Sequence, residues 1–323
     1  MKLFNLCLAS MALFTAVLSP THAQSREGGV VRLIVPFAPG GTTDMVSRIL
    51  ADKAGAILGV TMLVENKPGA SGDLGSAFVA KSAPDSRVLL LNGTGPLSIG
   101  AASGRELNFD PFKDLTPVGI MAEVPNVVVV NPSLPIHSIK ELVAYAKVHP
   151  ETLNYGMSAI GNLSQFNAEM FAAEAGIKLL GVPYKGSGPM LTDLLSNRIH
   201  LAFDNMPPFL PRIQNGDLRA LAVTSSRRSP LLPDVPTLIE EGFPGMDTPA
   251  RLAIYGPPGL PDDLVQRYNK AFTRAVQDPE VAKRLEAASV VPAPGSSREL
   301  AERLRSEFEA FSAVIKSADL KFE

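Results

Sequence analysis

The sequence predicts an α/β fold assembled from repeated strand–helix units. Three observations carry that expectation. Short apolar, β-branched runs such as Val30–Phe37 (VVRLIVPF) recur along the chain, the kind that fills strands buried on both faces of a parallel sheet. Each run ends in Gly, Pro, Ser or Asn and passes into a stretch with helical spacing. The tail after Tyr255 breaks the alternation and reads as helix throughout.

In order, Val30–Phe37 is the first strand and ends at Pro39-Gly40-Gly41. Thr42 or Thr43 caps the next helix, Asp44 favours its first turn, and Met45, Ile49 and Leu50 share its apolar face. Met62–Val64 is a short strand, and Gly72–Lys81 a helix with Leu74 and Phe78 four apart. Val88–Leu91 is a buried strand ending in Asn92-Gly93-Thr94-Gly95, and Val127–Val130 is another strand. Ser138–Val148 is a helix; Leu153–Tyr155 leads through Gly156–Asn162 into a helix over Ser164–Ala175. Strands follow at Leu179–Val182, Leu201–Phe203 and Leu218–Val223, with helices at Pro189–Ser196 and Pro208–Asn215. After a strand at Leu252–Tyr255 the tail forms helices over Asp262–Gln277, Pro279–Ala287 and Ser297–Ser317. In the last, Leu300, Leu304, Phe308 and Phe311 make a core-facing stripe.

The N-terminus points to export. Met1-Lys2 is positive, Leu3–Leu18 is an uncharged, mostly apolar run, and Thr21-His22-Ala23 supplies small residues before Gln24. This is the pattern of a signal peptide over residues 1–23, too short for a membrane span, and its removal places the protein in the periplasm. Cleavage would also remove Cys7, the one cysteine, so no disulfide or thiol chemistry is expected. With 30 basic and 32 acidic residues there is no basic excess to suit a nucleic-acid partner.

Three strand-to-helix junctions carry small residues: Pro39–Thr43, Asn92–Gly95 and Ser158–Ser164. The first N–H groups of a helix have no intrahelical partner, and the helix dipole adds partial positive charge there. Such junctions hold phosphate, sulfate or carboxylate without a lysine or arginine, and in open α/β sheets they gather beyond the carboxyl ends of the strands. Read more plainly, the same glycines only make tight turns. Asp204-Asn205 closes a strand at the same edge, either to meet a ligand donor or water or to cap the next turn. Catalytic patterns are largely missing. There is no Gly-x-Ser-x-Gly elbow, Lys185-Gly186-Ser187 does not match a phosphate loop, and the spacing within Gly69–Gly75 is wrong for a dinucleotide. His137, His149 and His200 stand apart from these loops and from one another. Neither an enzyme nor a metal or other cofactor is expected.

At these loops the chain resembles the substrate-binding receptors of tripartite tricarboxylate transporters, the Bug family. The matching stretches are RLIVPFAPGGTTD (32–44), VENKPGASGDLGSAFVAKSAPD (64–85), PNVVVVNPSLP (125–135), VPYKGSGPMLTDLLSNRIHLAFDN (182–205) and LRALAVTSSRRSPLLPDVPTLIEEGFPG (218–245). The resemblance implies a type II periplasmic-binding-protein fold, two α/β lobes joined by two crossing strands. Lobe one would be 24–125 plus 251–323, and lobe two 126–250. It implies a small organic acid held between the lobes and handed, by a monomer, to membrane permease subunits of the transporter. A sensing role beside a signalling partner, or an enzyme on the same scaffold, are the alternatives.

By resemblance, loop amides and ordered waters bridge one ligand carboxylate. The first-lobe loop matches Phe37, Pro39, Gly40, Gly41, Thr42, Thr43 and Asp44. The second-lobe loop matches Ser158, Ala159, Gly161, Asn162 and Ser164, and Thr94, Tyr184, Asp204 and Asn205 fall in segments that border the cleft. Three departures stand out. Ala159, Asn162 and Gln165 replace a glycine, a serine and a histidine of the family loop, Arg251 replaces a tryptophan at the return crossing, and Asp85-Ser86-Arg87 replaces Asp-Gly-Tyr. Arg251 would pair with a second ligand carboxylate if it faced the cleft, or meet solvent on the hinge if it did not.

Overall fold

Alternate residues of a strand face opposite sides of a sheet, and the first strand uses both sides for core. In β1 (Val30–Val35) Leu33 packs into one apolar cluster with Leu50, Leu89 and Phe272, and Ile34 into another with Leu90, Tyr255 and Leu300. In this computed structural model residues 28–85 and 87–322 are described; the expected signal peptide with Cys7, and Ser86, lie outside them.

From β1 the chain runs through α1 (Thr42–Leu58), β2 (Thr61–Asn66), α2 (Asp73–Ala80), β3 (Val88–Gly93), α3 (Thr94–Ala102) and β4 (Thr116–Val124). It continues through β5 (Asn126–Val130), α4 (Ile139–Val148), β6 (Asn154–Met157), α5 (Leu163–Ala175), β7 (Leu180–Pro183), α6 (Ser187–Leu195), β8 (Leu201–Asn205), α7 (Leu210–Gln214) and β9 (Arg219–Val223). It closes with β10 (Ala250–Gly256), α8 (Asp262–Val276), α9 (Pro279–Ala287), β11 (Val291–Pro292) and α10 (Ser297–Ser317).

Two sheets form two lobes. The first has strand order β11-β4-β10-β3-β1-β2, the second β7-β6-β8-β5-β9. Neither is purely parallel, as the repeated units alone suggested. β1 runs parallel to β2 and β3, and β6 to β7 and β8, but β10 is antiparallel to both its long neighbours and β5 to β8 and β9. The antiparallel strands are those where the chain enters the second sheet and re-enters the first. Only Pro125 separates β4 from β5, and the outgoing and returning segments run side by side. Val124 pairs with Ala250, and the Asn126 amide donates to the Thr248 carbonyl at 2.8 Å.

Several local expectations change. α3 and β4 do not stand out in the sequence. Of the pair four apart in α2, Leu74 is 56 % exposed. Gly41, not a threonine, is the N-cap residue of α1. In α10 the stripe packs as its spacing suggests: Leu300 and Leu304 are buried, Phe308 meets Phe112 edge-on, and Phe311 meets Phe166 of the second lobe. A capping box of Ser296 and Glu299 starts that helix, an arrangement that contributes about 1 kcal/mol.

Candidate functional site

Four helices begin where the lobes face each other, two from each lobe. α1 starts at Thr42 after a turn that needs Gly40 at φ 87°. Buried Asp44 holds this turn. It accepts from the Gly40 N–H at 3.1 Å, from Arg48 at 3.0 and 2.8 Å, and from the Asn66 amide at 3.0 Å. Burial pushes its carboxyl up, but the bonds to Arg48, Gly40 and Asn66 outweigh that and hold it below the usual carboxylate range. α3 starts directly off β3 with Gly93 as its cap. In the second lobe α5 is capped by Asn162, whose side chain accepts from the Gln165 N–H, and α6 starts at Ser187 after Gly186.

These starts enclose one cavity. Phe37, Gly41, Thr42, Thr43, Gly93 and Pro96 line it from the first lobe, and Ser158, Asn162, Leu163, Ser164, Gly186, Ser187, Asp204 and Asn205 from the second. Ala250 and Leu252 of β10 complete the wall. No Lys, Arg or His is among these lining residues. The space open to water centres is about 50 Å³, room for roughly three or four waters or a small polar group. The Thr42 hydroxyl is buried and has no hydrogen-bond partner among the described residues, a donor ready for an occupant.

The second-lobe wall is a connected network. The Asn162 amide donates to Ser158 Oγ at 2.8 Å, Ser164 Oγ donates to Asn162 Oδ1 at 2.8 Å, and the Ser158 N–H donates to Ser164 Oγ at 2.9 Å. Asp204 accepts from Ser187 Oγ at 2.5 Å and from Ser158 Oγ at 3.3 Å. Burial pushes its carboxyl up to about 6, although bonds from Ser187, the Asn205 amide and Ser158 pull the other way. The lobes also touch around the cavity. The Ala38 N–H donates to the Lys185 carbonyl at 3.1 Å, Arg105 to the Ile160 carbonyl at 2.8 Å, and the Ile160 N–H to Ser71 Oγ at 3.0 Å.

Of the residues singled out in the sequence, Phe37, Gly41, Thr42, Thr43, Ser158, Asn162, Ser164, Asp204 and Asn205 meet at this cavity. Pro39, Gly40, Asp44, Ala159 and Gly161 sit in the same loops but do not line it. Thr94 is buried on the far side, beside Glu307 of α10. Tyr184 turns aside to donate to Asp193 at 2.8 Å. Arg251 does not face the cavity. It pairs with Glu123 at 2.9 Å and Glu307 at 3.1 Å on the opposite face of β10, so the dicarboxylate role envisaged for it has no geometric basis. Gln165, in place of the family histidine, accepts from the Gly161 N–H at 2.8 Å and donates to the Lys321 carbonyl at 3.4 Å. Ser187 and Gly186 were missed. The signal was there, because Lys185-Gly186-Ser187-Gly188-Pro189 is a fourth junction of small residues before a helix. Among the described residues no group of three or more His, Cys, Asp or Glu is placed to hold a metal ion.

Residues 46–320 match the model of the tripartite tricarboxylate transporter family receptor. Protein BugT of Bordetella pertussis is 32 % identical over 98 % of this chain and 98 % of its own. Among solved structures, the periplasmic binding protein BugD superposes with a TM-score of 0.87 at 30 % identity, covering 91 % of this chain and 98 % of that one. MatC of Rhodopseudomonas palustris, solved with bound malate, superposes with a TM-score of 0.85 at 30 % identity, covering 89 % and 99 %.

Proposed function

The chain belongs to the tripartite tricarboxylate transporter receptor family, and we propose that it is an exported receptor that closes over a small organic carboxylate and delivers it to the membrane permease subunits of such a transporter. The observation that carries this reading is the meeting of four helix N-termini, two from each lobe, on one cavity with the unpartnered Thr42 hydroxyl in its wall. Helix-start amides and neutral hydroxyls solvate an anion without a cation. Charge-assisted bonds of about 1.5–3 kcal/mol each, less the cost of immobilisation, are enough for micromolar binding. Malate in the related MatC is an anion of this class.

The remaining parts of the proposal follow. Residues 1–23 are a cleaved signal peptide and the mature protein works in the periplasm as a monomer. Lobe one comprises 24–125 and 251–323, and lobe two 126–250. Both lobes must touch the anion to gain its full binding energy, which couples closure to capture. The protein is a binder rather than an enzyme. The cavity serines are hydrogen-bonded to Asp204 and to each other, and no histidine or lysine lines the cavity to take their protons.

The test is a thermal shift of residues 24–323 against mono-, di- and tricarboxylates, amino acids and aromatic acids, after refolding to strip carried-over ligand. A ligand at a hundred times its Kd that binds only the folded state adds about 2.7 kcal/mol, several degrees in the midpoint. A selective rise with one carboxylate class is expected; no response to any acid overturns the reading.

A further inference from the structure

A cavity built for an anion contains one acid, and that acid is deeply placed. Asp204 is 3 % exposed, lines the cavity, and has no cation bonded to it. The elements packed around it bring no charge to its aid. Tyr155 on β6 is bonded to Glu169 on α5, Asp193 on α6 to Tyr184 and Arg198, and Asp44 on α1 to Arg48. Lys185, which precedes α6, is exposed and outside the cavity wall. Two anions in one cavity without a cation cannot both stay ionised at ordinary cost, and such pairs retain a proton between them.

Proton counting on the serines leads to the same place. A hydroxyl has one hydrogen. While Asp204 is ionised, Ser187 spends its hydrogen on Asp204 Oδ2 at 2.5 Å, and the cavity meets only the lone pairs of that oxygen. A protonated Asp204 becomes the donor in this bond, and the Ser187 hydrogen is released toward the cavity. One proton from solvent therefore removes the like charge and supplies a donor to the incoming anion.

We propose that this receptor takes up its carboxylate together with one proton, held in the complex by Asp204. The inference rests on the carboxylate-receptor reading and deepens it, making Asp204 a specificity residue that prefers an anion plus a proton over an anion alone. Burial already brings the Asp204 carboxyl up to about 6, and a bound anion raises it further. Affinity is then full below about pH 6 and falls by up to tenfold per pH unit above it, until the pKa of the bound state is passed.

The experiment is isothermal titration calorimetry on residues 24–323 with malate, adipate and propionate as probes, between pH 5.5 and 8, in two buffers of different ionisation enthalpy. The expected result for a probe that binds is uptake of close to one proton at pH 7.5 and a Kd that rises about tenfold from pH 7 to pH 8. D204N, whose amide cannot ionise, should take up no proton and show a flat pH profile. If that variant fails to fold, the wild-type proton count decides alone. Binding with no proton uptake in the wild-type protein overturns the proposal and leaves the receptor reading standing. Tight binding of aspartate, titrated as a fourth probe, with no uptake also overturns it, with the ammonium group on Asp204 instead. Failure of every carboxylate at every pH sinks the receptor reading itself.

Discussion

Removing the Arg251 guanidinium should destabilise the protein in a pH-dependent way while sparing the ligand cavity. Arg251 leaves β10 on the side opposite the cavity and joins Glu123 of β4 to Glu307 of α10. Glu307 is the deep partner, 9 % exposed, and burial pushes its carboxyl up, against the pull of the Thr94 hydroxyl and of Arg251. Arg251→Met keeps the apolar stem and leaves Glu307 with the Thr94 hydroxyl and the nearby Arg303 as its remaining support. Breaking a buried ion pair from one side costs about 3–5 kcal/mol. The Arg251 and Glu123 side chains are 19 % and 39 % exposed, so water screens part of this, and about 2–3 kcal/mol is the working figure at pH 8. For a chain of this length that is a fall of roughly 5 °C. The sign of the pH effect follows from linkage. A carboxyl whose folded pKa exceeds its ordinary 4.5 binds more protons folded than unfolded, so stability declines as pH rises through that window. Losing Arg251 raises the folded value further and widens the window. The deficit of R251M relative to wild type should shrink as pH falls from 8 toward 5, and R251M/E307Q should recover most of it. Thermal unfolding of the three proteins at pH 5, 6.5 and 8 measures this. A deficit that does not change with pH, or a loss of carboxylate affinity with normal stability, would refute the assignment and return Arg251 to the cleft.

Two further substitutions separate binding from folding. Thr42→Val removes a buried hydroxyl that has no protein partner, so stability should stay within about 0.5 kcal/mol of wild type or rise, while carboxylate affinity drops roughly tenfold; a stability loss above about 2 kcal/mol would show that the hydroxyl serves the fold. Gly188 lies at the rim, where an added Cβ would come within 2.9 Å of the Pro39 carbonyl across the lobes. Gly188→Val should therefore fold normally, stay open by small-angle scattering in the presence of a carboxylate that closes the wild type, and bind it at least tenfold more weakly.

Much of this arrangement was legible where local chemistry and tertiary role agree. β1, β3 and β5 are largely buried on both faces, and their sequences are nearly continuous apolar runs in which Arg32, Asn92 and Asn126 are the polar exceptions. α8, α9 and α10 wear one apolar face and carry capping or acidic first turns, so their boundaries were readable to within a residue. The elements that escaped are those whose residues answer to distant neighbours. α3 (TGPLSIGAA) has no amphipathic stripe because it is packed nearly all round, against α10 among others. β4 contains Pro117 and Gly119, which argue against a strand. Gly119 is needed because an added Cβ would sit 2.2 Å from the Asn269 amide and 2.6 Å from the Gly295 carbonyl. In the site, the junction glycines and Asp204 were visible as types, but their facing directions were not. Ser187 follows Lys185-Gly186, and that lysine sets its segment apart from the three lysine-free junctions. The direction of Arg251 stayed open in the sequence, because one strand position decides which side of a sheet a residue serves.

That last point explains how capture is transmitted. Ala250 and Leu252 line the cavity, while Arg251 between them is tied to Glu123 and Glu307 behind the sheet. β10 also lies between β3 and β4, with ladders to both. The cavity floor is thus bonded into the first lobe from two sides and from behind. The second lobe is joined to it by the Pro125 link and the segment around Thr248, by the rim contacts at Lys185 and Ile160, and by Phe166 and Gln165 of α5 against Phe311 and Lys321. Single hydrogen bonds at the rim can open at small cost, whereas β10 cannot shift without breaking two strand ladders and a buried ion pair. On the proposed reading, closure is motion of β5–β9 and their helices toward a fixed floor. The groups that gain most from it are those carried on the moving side: the α5 and α6 starts, and Asp204 with its serines.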